Sequence, residues 1–274
     1  SKDGNDLLLD AEAKEVKLDR DVVLRLTDRK EPLTTHHSQL TSSSHDGQRY
    51  LMLRFRPDLP TKAQRQRRDW VFLFESSGDR DPVRARVQVD VIKTLLQNAE
   101  HDDTFAILTA GTQVRTFANE PRPATPENVK QAIAFLDGVH LVGALDLGQA
   151  LAAAEPFVKA GKNAYLVHVG SAMPVLGERA EDKLLKRIPA GARYVGVGVG
   201  KRWSRQFMKT AASRTGGYFT QINPDEPVAW RAFDLYSTLN TPRLLNASGG
   251  DHAERVPFLI YNDSIAHGEE ICAI

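Results

Sequence analysis

Between residues 68 and 240 the apolar positions fall into short unbroken runs: Trp70 to Phe74, Thr104 to Leu108, Ala164 to Val169, Arg193 to Val199 and Tyr218 to Ile222. Strands without polar alternation are covered on both faces, so these runs predict a parallel sheet beneath helices. The intervening segments carry helical spacing. Asp81 is placed to cap the first helix, Pro82 suits its first position, and Val83, Val87, Val91 and Leu95 repeat along one face. A second helix starts at Thr125-Pro126-Glu127 and is expected to bury Val129, Ile133 and Leu136. Further helices fit Leu145 to Val158, Glu178 to Ile188, Ser204 to Arg214 and Pro227 to Leu239. One pair breaks the alternation. Thr104 to Thr109 and Gln113 to Phe117 are separated only by Ala110-Gly111-Thr112, which predicts a hairpin and one antiparallel edge strand. The expected fold class is α/β, a doubly wound, mostly parallel sheet.

The flanks read as β structure. Asp21 to Leu26 and Tyr50 to Arg56 look like strands on either side of the aperiodic stretch Thr34 to Gln48. Pro242 to Leu245, Val256 to Tyr261 and Glu270 to Ile274 look like strands after the last helix. The expected division is a β-rich segment over 1–67, the α/β domain over 68–240, and a second β-rich segment over 241–274. A basic run from Lys62 through Arg65, Arg67 and Arg68 suits a solvated connector at the first boundary. The chain has 274 residues, 41% of them hydrophobic, enough for a sizeable core. Its 36 basic and 35 acidic residues leave a net charge of +1, so no global field attracts nucleic acid or an anionic membrane. No apolar run reaches the roughly 20 residues that cross a bilayer. The start, Ser1-Lys2-Asp3-Gly4-Asn5, lacks an initiator Met and the features of a signal peptide, and reads as a piece of a longer protein. Cys272 is alone, which excludes an internal disulfide.

In open α/β sheets ligands bind beyond the carboxyl ends of the strands. Three loops there are Glu75-Ser76-Ser77-Gly78-Asp79, Gly143-Ala144-Leu145-Asp146-Leu147-Gly148 and Gly170-Ser171-Ala172-Met173-Pro174-Val175-Leu176-Gly177-Glu178. Together they resemble the von Willebrand factor A domain, whose first strand ends in Asp-x-Ser-x-Ser, whose middle loop reads Gly-Gly-Thr-Asp-Leu-Gly, and whose fourth strand ends in Thr-Asp-Gly-x-Pro-Thr-x-Gly-Glu. The resemblance implies a protein-binding or adhesion module rather than an enzyme. In that family the Asp and two Ser of the first loop, the Thr of the second and the Asp of the third surround a Mg²⁺, a hard cation that takes about six oxygens.

Carried over position by position, the first Asp becomes Glu75, the first Ser is kept as Ser77, the second Ser becomes Asp79, the Thr becomes Leu145 and the last Asp becomes Ser171, or Gly170 if a one-residue gap is moved. These are the candidate binding positions, and they read as a degenerate metal site holding no obligatory cofactor. The alternative is a remodelled Mg²⁺ or Ca²⁺ site on Glu75, Ser77 and Asp79. In the first reading Asp79 or Asp81 caps the helix, and Arg80 or Arg84 neutralises the carboxylates. The flanks resemble those of the inter-α-trypsin inhibitor heavy chains, which place a vault-inter-α-trypsin domain before the A domain. That resemblance implies a protein partner and an extracytoplasmic or envelope-associated location.

Other motifs fit structural roles. Gly196-Val197-Gly198-Val199-Gly200-Lys201 has neither the P-loop nor the dinucleotide spacing and reads as a buried strand of small residues. Ser77 with His168 would make a serine hydrolase, but the nucleophile-elbow pattern is missing and His168 lies within an apolar strand, as a satisfied core imidazole does. His36-His37 has no third ligand at metal-site spacing. The basic run lacks the interleaved aromatics of a nucleic-acid surface.

Overall fold

The computed structural model describes residues 2–3, 6–7, 38–59, 66–78, 81–244, 247, 250–251, 256–257, 259–260 and 265–274. The strand expected at Asp21 to Leu26, the pair His36-His37, and Asp79 and Arg80 lie outside the described residues. The chain divides into two compact units, residues 1–34 and 35–274. In the first, β1 (Lys2–Asp3) pairs antiparallel with β2 (Asp6–Leu7).

The second unit contains β3 (Ser38–His45), β4 (Gln48–Phe55), β5 (Asp69–Glu75), α1 (Pro82–Gln97), β6 (Thr104–Ala110), β7 (Val114–Thr116), β8 (Arg122–Pro123), α2 (Pro126–Asp137), α3 (Leu147–Ala160), β9 (Ala164–Gly170), α4 (Glu181–Leu185), β10 (Arg193–Val199), α5 (Arg205–Thr215), β11 (Tyr218–Ile222) and α6 (Val228–Asn240). After them come β12 (Arg243–Leu244), β13 (Gly250–Asp251), β14 (Val256–Pro257), β15 (Ile265–Ala266) and β16 (Ile271–Ala273). The central sheet runs β11-β10-β9-β5-β6-β7. All pairings from β11 to β6 are parallel, whereas β7 is antiparallel to β6. The expected edge hairpin is present, and β8 adds a second, unforeseen antiparallel pairing to β6.

The apolar runs became central strands because both faces are covered. Trp70, Phe72, Phe74, Val167 and Val197 pack into a core layer with α1 residues Val87, Val91 and Leu95 and with Leu235 of α6. Val71, Leu73, Leu166 and Tyr194 face the opposite layer, which includes Leu151 of α3 and Phe207 of α5. Helix starts follow their caps: Asp81 accepts a bond from Val83 N at 2.9 Å, Asp146 from Gln149 N at 2.9 Å, and Thr125 from Asn128 N at 3.4 Å.

Three expectations need correction. Val83 is exposed: it stands on the first turn of α1, and the buried residues of that helix begin at Ala85 and Val87. The helix expected over Glu178 to Ile188 is only the five residues of α4, since the Glu178 carboxylate accepts from the Arg179 and Ala180 amides and holds a turn there. Ile133 is only partly buried. In the flanks, β16 and β3 pair with the two edges of β4, so strands from before and after the α/β region share one antiparallel sheet. The chain's glycine-rich run forms β10 as expected. A Cβ at Gly196 would sit 2.9 Å from Met208, and one at Gly198 would sit 2.3 Å from Trp203.

Candidate functional site

The loops at the carboxyl ends of β5, β6 and β9 are tied to one another by backbone bonds. Ser76 N donates to Ala110 O at 2.8 Å, Val142 N to Ser76 O at 3.0 Å, and Gly78 N to Gly143 O at 2.8 Å. Val175 N and Leu176 N donate to Leu145 O at 2.9 and 3.0 Å. The Thr112 hydroxyl accepts from Ala144 N at 2.9 Å. The three sequence motifs are therefore one cluster, as the strand-tip reading expected.

The candidate side chains do not face outward as expected of a ligand-facing tip. Glu75, Ser77, Leu145 and Ser171 are each fully buried, and of the described residues in the loop after β5, Glu75 to Gly78, only Gly78 is exposed. The Glu75 carboxylate turns into the β9 loop. Its Oε2 accepts from Ser171 N at 2.8 Å and Ser171 Oγ at 3.0 Å, and its Oε1 from Ala172 N at 2.7 Å. The second of these amides is aimed by Ala172, whose φ of 52° lies in the left-handed region. That conformation costs roughly 1–2 kcal/mol for a residue with a Cβ, offset here by a charge-assisted bond. Gly170 leaves the room: a Cβ there would lie 2.2 Å from the Glu75 carboxyl carbon.

A fourth contact extends inward. His168 Nε2 lies 2.9 Å from Glu75 Oε1, and His168 Nδ1 lies 2.7 Å from the Tyr194 hydroxyl. An imidazole protonated on Nε2 donates to the carboxylate and accepts from the phenol, which satisfies all three groups. Tyr194 is held protonated far above the usual phenol range, first because burial penalises the phenolate and second because the Glu75 charge opposes it. A raised folded-state value stabilises the fold fully at pH below the unfolded phenol value, about 10, and that stability is lost as pH climbs toward the folded one. Tyr194→Phe is expected to cost about 1 kcal/mol at neutral pH and to flatten the loss of stability above pH 10, read from urea midpoints across pH. An unaltered alkaline limb would mean that Tyr194 carries none of it.

Gln88 completes the strand end. Its Oε1 accepts from Glu75 N at 3.1 Å, and its Nε2 is buried with no hydrogen-bond partner among the described residues. Leu145 belongs to the apolar core with Leu147, Ala172 and Phe207. Arg84 forms no ion pair among the described residues and lies by Gly200, so it does not neutralise Glu75 as expected. Asp81, one of the two residues expected there, caps α1. His168 bonds Glu75 and Tyr194 rather than Ser77, so it is not positioned as the base of a hydrolase. Among the described residues no three His, Cys, Asp or Glu side chains are grouped to hold a metal. Around the sealed carboxylate the same loops expose Val142, Met173, Val175 and Leu176. Sequence reading missed Tyr194 and this apolar rim; the latter was legible as apolar residues in loops where polar ones are usual.

The family model for the von Willebrand factor type A domain matches residues 68–220, more than half of the chain. The chain belongs to the von Willebrand factor type A domain family. Inter-alpha-trypsin inhibitor heavy chain H2 of Mus musculus is 21% identical over 189 residues, 64% of this chain and 20% of its own length, and the Homo sapiens protein gives the same figures. The chain thus spans about a fifth of those curated relatives. Among solved structures, a von Willebrand factor type A protein from Catenulispora acidiphila superposes with a TM-score of 0.58 at 11% identity, covering 81% of this chain and 60% of that one. Proximal thread matrix protein 1 from the mussel byssus, described with a zinc-occupied metal-ion-dependent adhesion motif, gives 0.54 at 15% identity, covering 67% and 50%. These two show the A-domain fold. Among the described residues no helix is long and apolar enough to cross a membrane.

Proposed function

We propose that this A domain is a non-enzymatic protein-binding module that meets its partner at the carboxyl-end loops without an obligatory metal. The observation that carries the reading is the sealed Glu75 carboxylate, which already holds the Ser171 and Ala172 amides and His168, on loops that also expose Val142, Met173, Val175 and Leu176. A cation would have to draw Glu75 from those donors and find an oxygen where Leu145 offers methyl groups, so the described positions do not fit the family's ion. Exposed apolar side chains on neighbouring loops suit a surface for another protein. The degenerate site is then a structural knot beneath a binding face.

The mussel byssus protein's zinc-occupied motif keeps a metal-dependent reading in view, with Glu75, Ser77 and Asp79 as ligands. Thermal melts separate the two, since a ligand that binds only the native state raises its stability. The expected result is the same melting temperature in Mg²⁺, Ca²⁺, Mn²⁺, Zn²⁺ or chelator. A reproducible rise that Asp79→Ala removes would overturn the metal-free reading. For the face itself, partner capture in chelator should persist for the native chain and fail for Val175→Glu with Leu176→Glu; capture abolished by chelator alone counts against it.

A further inference from the structure

A cavity of about 520 Å³ lies at the amino ends of the parallel strands. It is lined by Arg68 just before β5, by Arg193 and Tyr218 as the first residues of β10 and β11, and by Tyr236 and Arg243 at the end of α6 and beyond it. Parallel register brings these positions together, because Trp70 lies beside Tyr165, Tyr165 beside Arg193, and Val195 beside Tyr218. The Glu75 loops are at the other end of the seven-residue β5, about 20 Å away at roughly 3.3 Å per residue. The cavity is therefore a separate site.

Its charge is unbalanced. Three guanidiniums line it against one carboxylate, Glu100, and none of the three forms an ion pair among the described residues. Each side chain makes a single hydrogen bond to the protein: Arg68 to Leu239 O at 2.9 Å, Arg193 to the Tyr165 hydroxyl at 2.9 Å, and Arg243 to Thr238 O at 3.5 Å. A guanidinium has five N–H donors, so most remain for a ligand. The arginines are also held in place. Arg68 lies 5.2 to 5.8 Å from the ring centroids of Tyr165, Trp70 and Tyr236, Arg193 lies 5.5 Å from that of Tyr165, and Arg243 lies 5.2 Å from that of Tyr218. Stacking fixes the forks before a ligand arrives, which lowers the entropy cost of binding.

A purely structural role explains part of this. Arg68 and Arg243 meet the last carbonyls of α6, where cations suit the helix dipole. It does not explain Arg193, which bonds only a hydroxyl, or the excess of two positive charges among the residues that line the cavity, near which Asp234 is already paired to Arg231 and Glu269 accepts from Ala266 N. The Tyr218 and Tyr236 hydroxyls add donors that have no hydrogen-bond partner among the described residues. Guanidinium forks match the oxygens of a phosphate, and a phosphomonoester carries about the charge that would balance the site. The volume is within the range of small-molecule pockets and far exceeds a bare anion.

We propose that this cavity binds a small organic phosphomonoester, its dianionic head on Arg193, Arg243 and Arg68 and its body in the remaining space. Titration calorimetry on the whole chain with phenyl phosphate tests this. Phenyl phosphate should bind at least tenfold tighter than phenol, succinate or inorganic phosphate, and more weakly as ionic strength rises. Arg193→Gln and Arg243→Gln should each weaken it tenfold or more. Arg193 is exposed, so its variant should melt as the native chain does, and a binding loss there reads the site rather than the fold. Phenyl phosphate binding no tighter than phenol, or unchanged in Arg193→Gln, would overturn the site. Succinate or inorganic phosphate binding as tightly would overturn the organic phosphomonoester assignment.

Discussion

Glu75→Ala is expected to lower the melting temperature by roughly 6–20 °C. Removing one partner from a buried charged network typically costs about 3–5 kcal/mol, and in a domain of this size each kcal/mol moves the midpoint about 2–4 °C. The cost arises at named atoms. Ser171 N, Ser171 Oγ, Ala172 N and His168 Nε2 would lose their acceptor at a site with no exposed surface. Ala172 would keep its left-handed strain with nothing to offset it. Glu75→Gln should fall between, because its amide NH₂ cannot accept from the donors that one carboxylate oxygen now serves. Glu75→Asp restores the family's residue type yet withdraws the carboxylate by one methylene, and should also destabilise. Residues held ready for a partner behave differently, since their removal often leaves stability unchanged or higher. A Glu75→Ala midpoint within about 2 °C of the native chain would therefore mean that the carboxylate serves a ligand rather than the fold.

The fold was legible because its cues are local. Apolar runs without alternation mark β5, β6, β9, β10 and β11, and Asp81, Thr125 and Ser204 mark the starts of α1, α2 and α5. The short α4 has a local cause, the Glu178 carboxylate on its own following amides, but the failures at the two sites are tertiary. Glu75 looks like a polar tip in sequence, but only the folded β9 loop, 96 residues on, supplies the amides that draw it inward. Arg68 reads as the end of a basic connector, whereas the rings that enclose it come from β9 and α6. In both cases the neighbours in sequence place a charged residue beside an apolar run facing outward, Glu75 toward a ligand and Arg68 toward solvent. Its neighbours in space decided otherwise. The two ends of the sheet now contrast: at the carboxyl ends the Glu75 carboxylate is met by donors of the protein itself, and at the amino ends three arginines keep most of their donors free.

Leu145→Thr is the sharpest test of the proposal that the metal site is degenerate, because it places at a buried core position the oxygen-bearing residue that the family resemblance implies there. Leu145 is fully buried, with Leu147, Leu151, Ala172 and Phe207 in the same apolar layer. Threonine is smaller, so the change removes buried carbon, leaves a cavity and places a hydroxyl among methyl groups. A loss of about 2–4 kcal/mol is expected from urea unfolding, with no gain on adding Mg²⁺. The backbone would not object, since Leu145 O keeps its bonds from Val175 N and Leu176 N whichever side chain is present. The cost would then measure how tightly the apolar layer behind the loop packs on Leu145, as the metal-free proposal requires. If Leu145→Thr is instead neutral and its midpoint rises with Mg²⁺, the surrounding oxygens still form a cation site. In that case Leu145, rather than the inward turn of Glu75, is what keeps the ion out.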